Sequence, residues 1–480
     1  MNIKKKEINK KINKKIKKYN KDKIYINILF FVDRFKILII FFLMIFIIKF
    51  YKLTTKINME LNEEYLNIQK NLNLSFNNKL TKKLKIGVYS YSIKNGGRAR
   101  MTASLINYLY KVKIFNIYLF TKVIKEKNEY FIPANTKRMP IKNNIIKYIK
   151  KKGINCLIYE LDDIDEIRNL NNIKNIKIIF YHHSSNFDWI YGNYSIFKNI
   201  YEEFLNSKYF VSIIPFENDF LFKKWGIRSI FINDFITFNY NSIIPSDLSS
   251  KKILMIGRGN AKKKRFQIGI LSMEYIIKEI INCELYIVSN LTGIDHLQNI
   301  VINLNLEKNI NFIGYSSTPE IFFKNASLNL FPSISESFGL VLCETKIYGI
   351  PNILIGLDYL SISKGGTIIV YDDSSESLAK EVIKILIHSS KRKYLGKEAR
   401  KNIKKFNNDF LFIKWMKLVL TVLNGDKYYQ ILRENDKNIY EEEIFPILNN
   451  QIKLLKKRIP YFYNITLNNY INYTYMKNII

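Results

Sequence analysis

Two hydrophobic periods alternate along most of this chain. Short apolar runs rich in β-branched residues read as strands: Lys85-Ile-Gly-Val-Tyr-Ser-Tyr91, Asn116-Ile-Tyr-Leu-Phe120, Cys156-Leu-Ile-Tyr159, Ile176-Lys-Ile-Ile-Phe180 and Phe210-Val-Ser-Ile-Ile214. Helical spacing, as in Met101 to Tyr110, separates them. Strands that alternate with helices predict a parallel sheet covered on both faces. The polar stretch Asp247-Leu-Ser-Ser-Lys-Lys252 reads as a linker, and a second series follows. Its strands are Ile253-Leu-Met-Ile-Gly257, Leu285-Tyr-Ile-Val288, Ile310-Asn-Phe-Ile-Gly314, Leu328-Asn-Leu-Phe331, Asn352-Ile-Leu-Ile355 and Thr367-Ile-Ile-Val370. Helices are predicted near 265–280, from Leu340, from Ser375 to Ile387, and over 408–424 around Trp415. The expected architecture is α/β, with doubly wound domains over 82–247 and 248–424. Binding crevices should lie at the carboxyl ends of the strands.

The ends of the chain break this pattern. Residues 1–23 are low-complexity and basic, with eleven Lys against Glu7 and Asp22. Twelve uncharged apolar residues then run from Ile37 to Ile48 between Lys36 and Lys49. A spanning helix needs about 17–25 such residues. Phe35 through Tyr51 supplies 17 positions if both lysines snorkel outward. Residues 1–81 are therefore expected to be a basic tail with a membrane-associated helix at about 35–51, either an anchor or interfacial. A cleaved signal peptide fits poorly, because the charged region is long and no small-residue cleavage site follows. Residues 425–480 are charged, then Asn- and Tyr-rich, and suggest no role.

Charge and cysteine narrow the picture further. The 480-residue chain carries a formal charge of +35 and is 48% hydrophobic, so most of it should be globular. Lys and Asn are abundant even inside the predicted core elements, so a general compositional drift explains much of the charge. No pattern interleaves basic and stacking residues, which argues against a nucleic-acid binder. Cys156, Cys283 and Cys343 sit among apolar residues without metal-ligand spacing, and are expected to be reduced and buried. The four histidines form no metal-binding motif, so no metal site is expected.

The most informative stretch is Phe331-Pro-Ser-Ile-Ser-Glu-Ser-Phe-Gly-Leu-Val-Leu-Cys-Glu344. If a helix opens at Leu340, Glu344 lies about one turn in and Glu336 sits in the loop before its N-terminus. The unpaired backbone N–H groups there favour anions. Two carboxylates beside them suit a ligand with both phosphates and hydroxyls. Three other segments carry polar chemistry at strand ends. Ile256-Gly257-Arg258-Gly259 precedes the basic run Lys262-Lys263-Lys264-Arg265. Lys94-Asn-Gly96-Gly97-Arg-Ala99-Arg100 links the first strand to the first helix. Tyr181-His182-His183-Ser-Ser185 follows the strand ending at Phe180.

The pattern Pro332-Ser-x-x-Glu336-x-Phe338-Gly339, seven residues between the acids, then Gly349-x-Pro351, resembles that of the retaining nucleotide-sugar glycosyltransferases of the GT-B fold, family four. The resemblance covers roughly residues 84–424. It implies two Rossmann-like domains facing a cleft, the first on the acceptor side and the second binding the nucleotide sugar. It implies that Glu344 holds the ribose hydroxyls, that Glu336 contacts the donor sugar, and that the N–H groups of Phe338, Gly339 and Leu340 face the diphosphate. Arg258 and a following lysine, Lys264 or the neighbouring Lys263, would reach that diphosphate. Gly96 and Gly97 would lie against the donor phosphates or the acceptor, with Arg100 as the matching arginine. A histidine, His183 or His182, would lie near the transferred sugar, and Asp188 could reach the acceptor. Ala99 stands where the family often has an acid, Thr345 where a small Ala is usual, and the loop Leu357 to Gly366 is unusual.

The expected function is transfer of a sugar from a nucleotide-diphosphate donor to an acceptor hydroxyl, without a cofactor or protein metal. The hydrophobic segment makes a glycan or lipid-linked acceptor and membrane localisation plausible. The alternative is a non-catalytic GT-B protein that binds a sugar nucleotide or scaffolds a complex. A sugar phosphorylase would share the fold.

Overall fold

In a computed structural model the first sheet holds seven parallel strands: β1 (Leu84–Tyr89), β2 (Phe115–Thr121), β3 (Lys137–Pro140), β4 (Cys156–Glu160), β5 (Lys177–His182), β6 (Tyr209–Ser212) and β7 (Ser229–Phe231), in the order β3-β2-β1-β4-β5-β6-β7. Helices α1 (Gly96–Lys111), α2 (Ile145–Lys152) and α3 (Ile164–Asn171) make the crossovers. The structure describes residues 84–425, except 95, 112–114, 124–128, 143, 186–202, 205, 216–228, 237–239, 260 and 317, together with residue 454. The expected hydrophobic segment at 35–51 and Asp188 lie outside the described residues. Among the described residues no helix is long and apolar enough to cross a membrane.

The second sheet has six parallel strands: β8 (Lys252–Ile256), β9 (Glu284–Val288), β10 (Ile310–Phe312), β11 (Leu328–Phe331), β12 (Asn352–Ile355) and β13 (Thr367–Val370), ordered β10-β9-β8-β11-β12-β13. Its helices are α4 (Phe266–Glu279), α5 (Asp295–Asn303), α6 (Glu320–Phe323), α7 (Leu340–Ile347), α8 (Ser375–Ile387) and α9 (Ser389–Ile403). Both sheets are Rossmann-like, as the alternating pattern predicts. Strands covered on both faces read as continuous apolar runs. The second core shows this, with Met255, Leu285, Ile287, Leu330, Ile353 and Ile355 buried against Phe266, Ile270 and Met273 of α4. In each sheet the strand order reverses beside its first strand, between β1 and β4 and between β8 and β11. A crevice opens at the carboxyl end of such a point.

Helix α10 (Asn408–Asn424) follows the second domain in sequence but packs on the first. Trp415 is fully buried edge-on against Tyr181 of β5, with ring centroids 4.9 Å apart. Asn408 accepts from the Ile236 N–H at 2.8 Å and donates to its carbonyl at 2.7 Å.

Lys346, near the end of α7, is fully buried. Its ammonium donates to the carbonyls of Ile362, Lys364 and Gly365 and to Asn402 Oδ1. It therefore gathers the loop 357–366 onto α7. No carboxylate compensates it there, and burial pushes the ammonium down from 10.5 to about 7. An unfolded chain keeps that proton up to its ordinary value, so stability should rise with pH between about 7 and 10.5. Below pH 7 the desolvation cost is fully present. Relative to Lys346→Met, the parent is expected to gain up to about 4 kcal/mol across that window. Chemical denaturation at pH 7 and pH 10 measures this. Equal pH slopes in the two proteins would refute the assignment.

Candidate functional site

The second sheet's crevice assembles from two loops that brace each other. After β8 the chain turns through Gly257-Arg258-Gly259, and Gly259 donates its N–H to Ser289 Oγ at 2.7 Å. The run Lys262–Lys264 forms a single 3-10 turn, and the helix opens only at Phe266. Arg265 interrupts the two with a left-handed backbone. Its buried guanidinium donates to Pro332 O at 2.9 Å and pairs with Asp373 at 2.7 Å. Ile334 N–H donates to Lys263 O at 2.8 Å. These contacts fasten the loop after β11 to the basic turn and bring Lys264 Nζ onto Glu336, both side chains being 12% exposed.

Of the two lysines left open by the sequence, it is therefore Lys264 that pairs with the first acid. Arg258 is exposed, and its side chain forms no ion pair among the described residues. Glu336 is held by a residue that the sequence gave no reason to choose. Tyr359, in the loop after β12, accepts from the Glu336 N–H and donates to the Glu336 carbonyl, both at 2.9 Å. Only the unusual character of the loop 357–366 hinted at a role there.

Helix α7 begins at Gly339, whose φ of +85° is left-handed. A Cβ there would lie 2.9 Å from Leu342 Cδ1, so only glycine fits without strain. Leu342 is the first residue to donate back to Gly339 O, so the preceding N–H groups, including that of Leu340, lie ahead of the helical bonding. Phe338 is buried, with its ring 5.9 Å from that of Phe406. Glu344 is buried one turn into α7 and is paired with Arg100 of α1, across the two domains. Burial works against the Arg100 charge, but Glu344 and Tyr130 more than offset it and raise its proton affinity. The two helix starts nearly touch: a Cβ on Gly97 would lie 3.0 Å from Leu340 Cδ1. Gly96 opens α1 with a left-handed φ of +87°.

The two histidines part company by strand alternation. β5 runs longer than the sequence suggests, and His182 is its last residue. That side chain is buried against Phe204 and Phe210, and burial lowers its imidazole to about 3, so it is neutral at ordinary pH. His183 faces the other way. Its Nδ1 lies 3.4 Å from Asp234, a carboxylate that also accepts from Tyr181 OH at 2.7 Å. His183 Nε2 is buried with no protein partner among the described residues. The neighbouring Asn233 accepts from Ser361 Oγ at 3.0 Å, joining this corner to the loop that carries Tyr359. Nothing in a one-dimensional pattern selects Asp234 or Asn233.

Thr345 uses its hydroxyl within the core, bonding Asn352 Oδ1 at 2.8 Å and the Val341 carbonyl at 3.0 Å. The three cysteines are free and buried, and burial pushes the Cys156 and Cys283 thiols up to about 12. Among the described residues no cluster of His, Cys, Asp and Glu side chains is arranged to hold a metal.

Comparison with known proteins gives this geometry a family context. Residues 239–402 match the family model described as Glycosyl transferases group 1. An uncharacterized glycosyltransferase of Methanocaldococcus jannaschii is 27% identical over 176 residues, 34% of this chain and 43% of that protein. A poly(ribitol-phosphate) alpha-N-acetylglucosaminyltransferase of Staphylococcus aureus is 22% identical over 205 residues, 41% of each. The chain thus spans about two fifths of the length of these curated relatives. Among solved structures, a sucrose-phosphate synthase from Thermosynechococcus elongatus superposes with a TM-score of 0.61 at 15% identity, covering 71% of this chain and 100% of that one. Anabaena HepE in complex with UDP and glucose gives 0.58 at 13% identity, covering 70% and 99%. Likeness at such identities establishes the fold alone, the two-domain GT-B architecture of those structures, and the match to the Glycosyl transferases group 1 model falls on residues 239–402, within the second of the two domains and the segment leading into it.

Proposed function

We propose that the protein transfers a sugar from a nucleoside-diphosphate sugar to an acceptor hydroxyl, with retention of anomeric configuration, in the manner of family four. One arrangement supports this reading: Lys264 pairs with Glu336 in the loop just ahead of α7, and Glu344 lies one turn into that helix, after the strand β11 beside which the second sheet reverses its order. The diphosphate fits against the α7 N–H groups, with Arg258 and Lys264 as counter-charges. Glu344 accepts hydrogen bonds from the ribose hydroxyls. The acceptor oxygen bonds to the anomeric carbon as the bond from that carbon to the phosphate oxygen breaks. The electron pair leaves with the diphosphate, and the acceptor proton passes to the departing oxygen on the same face. Preplaced cations lower the barrier because negative charge grows on that leaving group. In this reading Arg258 and Lys264 supply the neutralisation, so no resident metal or cofactor takes part. His183, which unlike His182 is not enclosed by phenylalanines, contacts the transferred sugar. The HepE complexes make UDP-sugars the first donors to try.

The full chain should show a saturable thermal shift with one or more of UDP-glucose, UDP-N-acetylglucosamine and GDP-mannose. Lys264→Ala is expected to reduce turnover by about 10²–10³-fold, and Arg258→Ala to weaken donor binding at least about tenfold. A full shift with no turnover, left unchanged by both substitutions, would sink the reading and leave a non-catalytic binder.

Tyr359→Phe keeps the ring but removes the hydroxyl that holds both backbone groups of Glu336. It is expected to cost about 1–3 kcal/mol of stability and to slow turnover more than it weakens donor binding. Steady-state kinetics beside urea titration test this. Unchanged kcat would show that Tyr359 is only a packing residue.

A further inference from the structure

The first sheet has its own reversal point, between β1 and β4, and a pocket of about 310 Å³ opens there. Ser90, Tyr91 and Ser92 line it from the turn after β1, Arg98 and Ala99 from the start of α1, and Glu160 and Asp162 from the end of β4. It neighbours the junction where Gly97 of α1 meets Leu340 of α7, and so stands beside the proposed donor crevice. The volume is at the small end of the roughly 300–1,000 Å³ typical of ligand pockets.

Its charges are already committed. Glu160 is buried and is met by Arg98 Nε, by Ser90 Oγ at 2.5 Å and by Thr102 Oγ1 at 3.3 Å. Arg98 also donates to the Leu161 carbonyl at 2.9 Å. The one other charge in the lining is Asp162. Its Oδ2 accepts from Tyr89 OH at 2.9 Å and lies 3.3 Å from Lys122 Nζ, whereas Oδ1 accepts nothing among the described residues. An anionic ligand would therefore meet the Asp162 carboxylate, and the cation among the described lining residues, Arg98, is already paired with Glu160. A hydroxylated ligand would find an open carboxylate oxygen, serine hydroxyls and the half-exposed ring of Tyr91, which can cover the C–H face of a sugar.

With the first domain on the acceptor side, as the resemblance implies, we propose that the acceptor unit held in this pocket is a neutral, hydroxyl-rich saccharide rather than a phosphorylated or sulfated polyol. The assignment rests on the donor reading above and adds the acceptor class to it.

The test uses the full chain with UDP present on an array of neutral oligosaccharides, sulfated glycans and ribitol-phosphate oligomers. Neutral features should bind. Tyr91→Ala and Asp162→Asn, both at the pocket surface, should each weaken that binding roughly tenfold while leaving the UDP thermal shift intact. The intact shift reports that each variant is folded. Preference for the anionic features, no binding to any neutral feature, or neutral binding untouched by both substitutions would overturn the proposal. Loss of the UDP response in the parent, with neutral glycans still bound through Tyr91 and Asp162, would instead overturn the donor reading and leave the pocket standing.

Discussion

Two helix N-termini meet where the domains join, and much of the site follows from that meeting. Each end carries a partial positive charge from its unpaired N–H groups. Gly97 of one lies so close to the Leu340 side chain of the other that an added Cβ would stand 3.0 Å from it, so the two ends share one neighbourhood. Negative charge is favoured beside each of them. The Arg100–Glu344 pair supplies a carboxylate one turn into α7, together with a cation that ties the two helices. A diphosphate between the helix ends would answer the same electrostatic demand more completely. Glycine at both approaches keeps the space open for it.

Much of the architecture was legible because parallel sheets write themselves plainly. Strands buried on both faces show as apolar runs, and the crossover helices show as a change of period, so the second sheet could be read from the residues. In the first sheet the two edge strands escaped, β3 because it is polar and largely exposed and β7 because it is only three residues long. The placing of Glu336 before a helix and Glu344 one turn into it was legible for a different reason: local geometry follows local sequence. The resemblance left Lys264 and Lys263 open, and the ion pair with Glu336 separates them. The rest was not, because its contacts span long separations. Tyr359 reaches back 23 positions to Glu336, and Asp234 meets His183 from the segment after β7, 51 positions on. The His182/His183 ambiguity illustrates the limit. Consecutive residues at a strand end take opposite faces, and which face holds the phenylalanines and which holds Asp234 is set by segments distant in sequence.

The lysine-rich composition also acquires a physical meaning. Among the described residues every lysine except Lys346 is at least partly exposed, where water screens it cheaply. Lys346 shows the same compositional habit reaching the interior, where it has to be answered with oxygen atoms. The cage it forms happens to fix the loop that grips Glu336 and touches Asn233. A residue unpromising for a core thus became the hub of a polar scaffold behind the acidic pair.

The path of helix α10 has a consequence for how the protein is made. The face of Tyr181 and the backbone of Ile236 are closed by Trp415 and Asn408, residues that leave the ribosome only after the whole second domain. During synthesis the first sheet must therefore wait, incompletely sealed, for the last stretch of a fold that began after it. The two halves mature together, and the nascent chain depends on protection over that interval more than a beads-on-a-string arrangement would.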